Sequence, residues 1–262
     1  MSSSDLKSIA SSGGKRRVEL HGNPGTSEGR KLGGERSIDT HRRRKTEFRT
    51  LKTIKKPRPS SALAELLGIF YGDGHIGEYQ STVVTSSETD LEHAHFIKAN
   101  IERLFGIQPS VYFRKDAKAC LVVVSSKEFG SFMASMGMSP GSKIVNGIKI
   151  PQWIFTKRDY ARALVRGLID TDGCVYQDCH RVKGREYRST CIAFTSASPE
   201  LTSFVYEALR AEGYHPTVWG RHIRLRRRAD VALYAKNIGF SNPKHLHKIR
   251  VYSLAREASD SG

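Results

Sequence analysis

The sequence predicts an α+β protein made of two pseudo-symmetric repeats of order αββαββα, each with an antiparallel sheet. Three observations predict this fold. An apolar helical run ending in Asp-Gly occurs twice, short strand patterns come in adjacent pairs, and landmark residues recur in the same order in both halves. The chain has 262 residues, enough for one or two domains with a buried core.

Four pairs of segments carry the internal repeat. The segment ALAELLGIFYGDG (62–74) parallels ARALVRGLIDTDG (161–173), and VVTSSE (83–88) parallels AFTSAS (193–198). Downstream, FGIQP (105–109) parallels EGYHP (212–216), and MGMSPGSK (136–143) parallels IGFSNPK (238–244). The second copy has the longer first hairpin, QDCHRVKGREYRS (177–189). Four landmarks in one order indicate a true duplication.

Hydrophobic periodicity places the elements of each copy. In the first copy we expect helices over 90–105 and 127–136, and strands near 75–80, 81–87, 109–116 and 119–126. In the second copy we expect helices over 199–212 and 229–238, and strands near 174–180, 187–197, 216–221 and 222–228. Ser61 is the expected N-cap of the first motif helix, and a capping box from Thr156 to Asp159 is expected to open the second.

Composition shifts along the chain indicate its domain organisation. Residues 1–57 are rich in Gly, Ser and charge, which predicts a basic, largely disordered extension with one short helix around 27–45 and an accessory role in DNA binding. The first repeat is then expected over 58–148 and the second over 149–254. A disordered tail is expected over 255–262.

The charge balance favours a polyanionic partner. The chain holds 43 Lys+Arg against 26 Asp+Glu, a net charge of +17, so nucleic acid is favoured over an anionic membrane. No run of about 18 apolar residues and no signal core is visible, so we expect no membrane partner and a cytoplasmic (nucleoid-associated) or organellar location. The cysteines form no C-x-x-C pair, so ordinary thiols are expected rather than zinc at Cys174, Cys179 and His180.

Small residues on the two apolar helices predict that these helices touch. Gly68 and Gly72 are spaced i,i+4, and so are Gly167 and Thr171, which gives each helix a narrow stripe where another backbone can approach. Packing along these stripes would bring Asp73 and Asp172 side by side at the C-terminal helix ends. The following glycines, Gly74 and Gly173, are expected in the left-handed conformation that ends a helix.

Such a carboxylate pair is electrostatically unfavourable without a partner. An acidic group at a helix C-terminus costs about 0.3–1 kcal/mol, and repulsion between two carboxylates raises one pKa. A divalent cation relieves both costs. Ligation by Asp73, Asp172, the carbonyls of Gly72 and Thr171 and water suits Mg²⁺, with Mn²⁺ as a substitute. Paired metal–carboxylate sites activate water for phosphodiester hydrolysis, whereas two solvated helix ends are the non-functional alternative.

Basic residues on the predicted strands indicate contact with DNA. The segment HIRLRRR (222–228) alternates Ile223 and Leu225 with His222 and arginines, and arginine on a two-stranded ribbon can reach guanine edges in the major groove. The candidate DNA-contacting residues are His75, Gln80, Tyr112, Arg114, Lys115 and Lys118 in the first copy, and Gln177, Arg181, Lys183, Arg185, Arg188, Arg221, Arg224, Arg226 and Arg228 in the second.

The segments LLGIFYGDG and VRGLIDTDG resemble the motif that names the LAGLIDADG homing endonucleases, and the similarity covers residues 61–252. The second copy is close, whereas the first has Tyr71 and Gly72 before Asp73. The resemblance implies a monomer that imitates a dimer by a pseudo-two-fold axis. Its two saddle-shaped sheets would lie in the DNA major groove, and Asp73 and Asp172 would bind Mg²⁺ over the minor groove. It also implies that Lys143 and Lys244, after each second strand pair, join the two aspartates as catalytic residues by stabilising charge or positioning water.

The sequence therefore predicts a Mg²⁺-dependent endonuclease that makes double-strand breaks at a long, asymmetric DNA site by phosphodiester hydrolysis. An RNA maturase or a DNA-binding transcription regulator on the same fold, without cleavage, is the alternative, and a nonspecific nucleic-acid binder is a second. The termini, MSSSD and EASDSG, lack the residues of a self-splicing intein. A free-standing or intron-encoded enzyme is therefore expected.

Overall fold

The computed structural model describes residues 15–20, 23, 25–44, 52–86, 90–114, 117–182 and 184–260. Contacts divide the chain into two compact units, Met1–Leu51 and Lys52–Gly262. Within the described residues, none of the helices is long and apolar enough to span a bilayer.

The first unit contains helix α1, Ser27–Arg44, and a short helical segment over 15–20. Helix α1 confirms the short helix predicted around 27–45. The Thr26 hydroxyl accepts a hydrogen bond of 3.0 Å from the Gly29 amide, which satisfies one of the free amides at the helix start. The remaining part of the disorder prediction, in 1–14 and 45–51, lies outside the described residues.

The second unit holds both repeats, and the first repeat begins with the motif helix. Its elements are α2 (Ser61–Asp73), β1 (Gly74–Ile76), β2 (Ser81–Ser86), α3 (Leu91–Phe105), β3 (Ser110–Arg114), β4 (Ala119–Val124), α4 (Lys127–Ser135) and α5 (Lys143–Asn146). A 3₁₀ turn, Gln152–Thr156, leads into the second repeat. Its elements are α6 (Arg158–Asp172), β5 (Gly173–Val182), β6 (Arg185–Thr195), α7 (Pro199–Ala211), β7 (Thr217–Trp219), β8 (His222–Leu225), α8 (Arg228–Asn237) and α9 (Pro243–Asp260).

The described residues form two four-stranded antiparallel sheets of the same topology. The strand order is β1-β2-β4-β3 in the first sheet and β5-β6-β8-β7 in the second. Matching orders confirm the predicted α+β fold with a duplicated antiparallel sheet. The β5–β6 hairpin pairs without interruption from Gly173↔Phe194 to Val182↔Arg185, which makes it the longest ladder of the two sheets.

The motif helices α2 and α6 lie at the centre of the second unit. In α2, every residue from Leu63 to Tyr71 is buried, which explains why this helix is apolar on all sides. Helices α3 and α4 contact the first sheet, and α7 and α8 contact the second. Each sheet therefore has one face covered by these helices, and we call the opposite face the open face. Helix α9 also contacts β5 and β6.

Residues 52–57 belong structurally to the first repeat rather than to the extension. The Lys55 amide donates to the carbonyl of Phe105 at 2.8 Å, and the Ile54 amide donates to Glu128 Oε2 at 3.1 Å. The Ser126 hydroxyl donates to the carbonyl of Lys52 at 2.9 Å. These bonds move the boundary of the folded part from residue 58 to residue 52. At the other end, α9 runs to Asp260, so most of the predicted disordered tail is helical.

Both predicted helix caps are wrong. Helix α2 is capped by Ser60 instead of Ser61, because the Ser60 hydroxyl accepts from the Leu63 amide at 3.3 Å. Helix α6 has Lys157 at its N-cap and no side-chain cap bond. The Thr156 hydroxyl instead donates to the carbonyl of Trp153 at 2.7 Å, within the preceding 3₁₀ turn.

Candidate functional site

The two motif helices meet at glycines, as their small-residue stripes predict. A Cβ atom added to Gly68 would lie 2.4 Å from the carbonyl oxygen of Leu164, and one added to Gly167 would lie 2.2 Å from that of Glu65. Both distances join a side-chain position to backbone, which cannot move aside. Any larger residue would therefore separate α2 from α6, and glycine is required at both positions.

This crossing brings the two motif aspartates to one place. A Cβ atom on Gly72 would lie 2.1 Å from Thr171 Oγ1 and 3.5 Å from Asp172 Cγ, so the end of α2 directly contacts the end of α6. The Thr171 hydroxyl donates to the carbonyl of Gly167 at 3.1 Å, one turn back. Because Asp73 follows Gly72 in the chain, its carboxylate lies beside that of Asp172.

The glycines after these aspartates are not left-handed, contrary to the sequence prediction. Gly74 has φ −81° and ψ 151°, and Gly173 has φ −105° and ψ 172°, because each begins a strand directly. Glycine is needed there for space. A Cβ atom would lie 2.5 Å from the Phe70 carbonyl oxygen in the first copy and 2.4 Å from that of Ile169 in the second.

The two carboxylates interact electrostatically. Burial and, after it, repulsion from Asp172 raise the pKa of Asp73 to about 6, although Lys143 opposes this rise. Burial also raises the pKa of Asp172, again opposed by Lys143. Burial lowers the pKa of the Lys143 ammonium, while the two aspartates raise it. A partly buried pair of negative charges thus has Lys143 as its main neighbouring cation, while Lys244 has a smaller effect on Asp73.

The two predicted catalytic lysines occupy different surroundings. Lys143 Nζ donates to the carbonyl of Tyr71 at 3.0 Å and to that of Gly72, so it lies at the C-terminal end of α2 beside the aspartates. Lys244 Nζ instead pairs with Asp90 Oδ2 at 3.0 Å. The structure therefore brings Asp73, Asp172 and Lys143 together and directs Lys244 to another partner.

The donors around the aspartates fit a hard divalent cation. Asp73, Asp172 and the Gly72 carbonyl supply only oxygen, the ligand type that Mg²⁺ prefers. The Lys143 ammonium bonded to the Gly72 carbonyl demonstrates that a cation is accommodated at this oxygen. The described residues contain no cluster of three or more His, Cys, Asp or Glu side chains suited to a metal. Water and substrate phosphate would therefore complete the coordination, as is common for Mg²⁺.

A buried polar network borders the site and was not foreseen from the sequence. Arg166 pairs with Glu65 at 2.7 Å, and the Ser241 hydroxyl donates to the same carboxylate. The Ser241 amide donates to Asp170 Oδ2 at 2.7 Å, and burial raises the pKa of Asp170 to about 8. A charged residue inside an apolar motif, such as Glu65, is the signal that could have indicated a buried partner.

The open face of the second sheet carries an aromatic and basic group. Strand register places Thr217, Trp219, His222 and Arg224 on this face, opposite the buried Ile223 and Leu225. Trp219 is 71% exposed and stacks on His222 with ring centroids 5.9 Å apart. The Arg224 guanidinium lies 5.7 Å from the Trp219 ring, a cation–π distance. Trp219 was not among the residues predicted from the sequence to contact DNA.

Several predicted DNA-contacting residues of the second copy lie elsewhere. Strand β8 ends at Leu225, so the predicted alternation over 222–228 fails. Arg226 pairs with Asp178, and Arg228 is the first residue of α8. Arg221 is exposed in the β7–β8 turn.

The β5–β6 register divides the basic hairpin between two faces. Gln177, Arg181 and Arg188 share the face of the buried Val175 and lie opposite the open face. Arg188 also pairs with Glu186 at 2.6 Å. Cys179 lies on the face opposite to Cys174 and His180. Arg185 begins β6, and the predictions for Lys183 and, in the first copy, Lys115 fall outside the described residues.

The first sheet presents a thinner polar surface. Strand register places His75, Tyr112 and Arg114 on the open face, and Tyr112 is 56% exposed. Gln80 lies in the β1–β2 turn, where its amide donates to Ser125 Oγ at 3.2 Å. Lys118 lies in the β3–β4 turn with φ 47°. The two open faces thus differ in chemistry.

Comparisons with known proteins show a LAGLIDADG-like domain in the second repeat. A model of the LAGLIDADG-like domain matches residues 159–258, which hold the second repeat. The structure of an I-SmaMI variant shares the fold with a TM-score of 0.52 at 9% identity, covering 75% of this chain and 92% of that one. A crystal structure of I-DmoI in complex with DNA and Mn has a TM-score of 0.47 at 16% identity, covering 70% of this chain and 98% of that one. The second repeat therefore matches a LAGLIDADG-like domain, and the similarity to the I-SmaMI variant supports the same fold for the chain.

Curated relatives match this chain over a small part of their own length. The tRNA-splicing ligase RtcB of Methanopyrus kandleri is 28% identical over 183 residues, 62% of this chain and 17% of that protein. The replication factor C small subunit of Methanocaldococcus jannaschii is 31% identical over 42% of this chain and 6% of its own length. An iron-sulfur cluster assembly SufBD family protein of Mycobacterium leprae is 29% identical over 48% of this chain and 14% of that protein. The chain thus spans less than a fifth of these relatives.

Proposed function

We propose that the protein is a site-specific homing endonuclease that makes Mg²⁺-dependent double-strand breaks in DNA. The observation that carries this proposal is the adjacency of Asp73 and Asp172 at the ends of two tightly packed helices, with Lys143 beside them. A protein that only binds DNA has no need to bury two carboxylates together, because each buried charge is costly. A divalent cation and a scissile phosphate remove that cost.

The roles of the chain's own residues follow from this geometry. A divalent ion held there would act as a Lewis acid on the phosphodiester and would lower the pKa of a water molecule. Asp73, Asp172 and main-chain oxygens of Gly72 and Thr171 would hold the ion. Lys143, which offsets the negative charge of both aspartates, is available to stabilise charge on the phosphate. The glycine contact between the helices fixes the two carboxylates on rigid elements.

The open faces of the two sheets would contact double-stranded DNA. Arg224 and Trp219 on the second sheet, and Arg114 and Tyr112 on the first, lie on these faces. Because the two faces carry different side chains, the target would be asymmetric. We propose a long target bound by one copy of the chain, in a cytoplasmic (nucleoid-associated) or organellar location.

The distribution of relatives supports a mobile coding element. An RNA ligase, a replication factor subunit and an iron-sulfur assembly protein have unrelated names, and this chain matches less than a fifth of each. A segment that occurs inside unrelated proteins behaves as an insertion rather than as part of their common activity. An endonuclease that cuts at the insertion point accounts for such spread.

A cleavage selection on a randomised duplex library in Mg²⁺ tests the proposal. We expect defined double-strand cuts by the parent protein and none by Asp73→Asn or Asp172→Asn. Asp159→Asn is the matched control, because Asp159 lies in the first turn of α6, about 20 Å along the helix from Asp172. Binding of a defined site without cutting, unaltered in the aspartate variants, would replace the endonuclease with a regulator or maturase.

A further inference from the structure

The two repeats place their equivalent lysines differently. Lys143 ends the segment MGMSPGSK and Lys244 ends its counterpart IGFSNPK. Lys143 Nζ reaches the last carbonyls of α2, at 3.0 Å from that of Tyr71. Lys244 Nζ lies 3.0 Å from Asp90 Oδ2. The pseudo-symmetry of the fold is therefore broken at the residues nearest the candidate site.

Asn242 takes the position that a second central lysine would need. The carbonyl of Asp170 corresponds in the repeat to that of Tyr71, and it accepts a hydrogen bond of 3.2 Å from Asn242 Nδ2. The Asn242 side-chain oxygen accepts from the Lys244 amide at 3.0 Å, which fixes the start of α9. Asn242 is 1% exposed. The carbonyl is thus already bonded, and Lys244 is directed away from it.

Asp90 is the group that holds the diverted lysine. Its side chain is buried just before α3, and a buried carboxylate requires a cation or hydrogen-bond donors. Lys244 supplies the cation, and Asn242 Nδ2 lies 3.4 Å from the other carboxylate oxygen. In the second repeat the equivalent N-cap position is occupied by Ser198, whose hydroxyl accepts from the Leu201 amide at 3.4 Å and donates to the exposed Glu200 at 2.6 Å. The lysine-holding arrangement therefore occurs in one half only.

We propose that Asp90 is a positioning residue that withholds Lys244 from the Asp73–Asp172 centre and thereby makes the two DNA strands unequal substrates. This inference rests on the proposed endonuclease function. In each strand a water oxygen forms a bond to phosphorus, the P–O3′ bond breaks, the leaving oxygen takes up a proton, and the water proton passes to solvent. The half-site that includes Lys143 stabilises the charged phosphate, whereas in the other half-site Asp90 holds Lys244, whose effect on Asp73 is weaker than that of Lys143. The first strand is therefore cut faster than the second.

Strand-resolved cleavage tests this inference. A duplex carrying the selected target is labelled on either strand, and the two rates are measured for the parent, Asp90→Asn, Lys143→Met and Lys244→Met. We expect Lys143→Met to slow the fast strand about 100-fold, within the range for one stabilising group, and Lys244→Met to leave the ratio nearly unchanged. Asp90→Asn is expected to accelerate the slow strand and bring the ratio toward one.

Two further variants separate positioning from folding. Glu200→Gln, which alters an exposed carboxylate in the first turn of α7, should leave the strand ratio unaltered. The double variant Asp90→Asn/Lys244→Met removes the ion pair as a whole, so it should retain the fold without gaining slow-strand cleavage. Equal rates on both strands in the parent, or an equal loss on both strands in Asp90→Asn, would overturn the inference.

A measurement without cleavage keeps the two proposals distinguishable. Reductive methylation followed by mass spectrometry reports how freely each lysine amine reacts. We expect the reactivity of Lys244 relative to Lys143 to rise several-fold in Asp90→Asn, because the carboxylate no longer holds the ammonium. Unchanged relative reactivity would overturn the positioning role of Asp90. A rise in reactivity without any DNA cleavage would keep that role and overturn the endonuclease instead.

Discussion

Lys143 donates a hydrogen bond of 3.0 Å to the carbonyl oxygen of Tyr71, so an ammonium group covers the C-terminal end of the first motif helix. A cation is favourable at this end of a helix because the aligned peptide dipoles leave negative charge there. The same ammonium compensates Asp73 and Asp172. Lys143 therefore offsets the negative charge of the two aspartates, and it also competes with a divalent cation for the oxygen atoms of the site.

Removing the Lys143 ammonium should strengthen Mg²⁺ binding by the two aspartates. In Lys143→Met the two aspartates lose their shared cation, so we expect about tenfold tighter Mg²⁺ binding, or about 1.4 kcal/mol of extra stabilisation. The unfolding temperature, measured at increasing Mg²⁺ concentration, gives this change in Mg²⁺ affinity. Lys244→Met is the matched control and should change the Mg²⁺ response less, because Asp90 holds that lysine. The same Mg²⁺ dependence in both variants would contradict the prediction.

The helix crossing should not tolerate a methyl group. Gly68→Ala places its Cβ 2.4 Å from the backbone oxygen of Leu164, so we expect a loss of about 3 kcal/mol or more in the free energy of unfolding. Gly130→Ala in α4 is the control. Its Cβ would lie no closer than 3.5 Å to any neighbour, and alanine favours a helix by about 1 kcal/mol. Urea unfolding compares the two, and an equal effect would refute the crossing geometry.

Acid should destabilise the protein through a buried histidine. His245 is fully buried, neither ring nitrogen has a hydrogen-bond partner, and burial, with Lys244 and Lys248, lowers its pKa to about 4, while Asp90 opposes this. Below the ordinary pKa of 6.5 the unfolded chain binds a proton that the folded chain does not. Stability is therefore retained above about pH 6.5 and falls as the pH approaches 4.

His245→Leu should remove about half of the acid sensitivity that the two buried histidines cause. We expect the variant to lose about 3 kcal/mol less than the parent between pH 7 and pH 4, as the pKa difference requires. His93, whose pKa burial also lowers to about 4, leaves part of the slope in place. His247→Leu, an exposed neighbour on the same helix, should follow the parent. Urea unfolding between pH 7 and pH 4 measures the free energy of unfolding of the parent, His245→Leu and His247→Leu. If this free energy falls in parallel in all three proteins, His245 is not the cause of the acid sensitivity.

DNA affinity should depend on the face of the sheet rather than on charge alone. Arg224 lies on the open face over Trp219, whereas Arg188 lies on the opposite face and pairs with Glu186. We expect Arg224→Gln to cost about 1–3 kcal/mol of binding to the selected target, and Arg188→Gln to cost little. Competition binding at fixed salt measures both. Similar losses would mean that general electrostatic attraction dominates.

The duplication made most of the fold predictable. Recurring landmarks such as Gly106 and Gly213, both with positive φ, mark the same turn in each repeat, and strand pairs between them follow from alternation. The close approach of α2 and α6 could also be predicted, because Gly68 and Gly167 have no side chains that would keep the two helix backbones apart. The sequence pattern was therefore sufficient to predict those features that the residue types of a short segment determine by themselves.

Side-chain partners were less predictable because they depend on three-dimensional register. The hairpin over 177–189 has no apolar alternation to reveal its faces, so Arg181 and Arg188 could not be assigned. The equivalence of Lys143 and Lys244 failed because IGFSNPK is shorter than MGMSPGSK and contains Asn242. Asp90 lies far from both motifs in sequence, and only the tertiary structure brings it to Lys244.

The buried acid in the first motif helix has a consequence for the order in which the chain is made. Glu65 is bonded to Arg166, 101 positions later, and to Ser241, 176 positions later. During translation the first repeat therefore leaves the ribosome with a carboxylate whose partners have not been synthesised, and burying such a charge alone costs about 3–5 kcal/mol. The charge of Glu65 is therefore fully compensated only when the second repeat is almost complete, so we expect the first repeat alone to fold less stably than the whole chain.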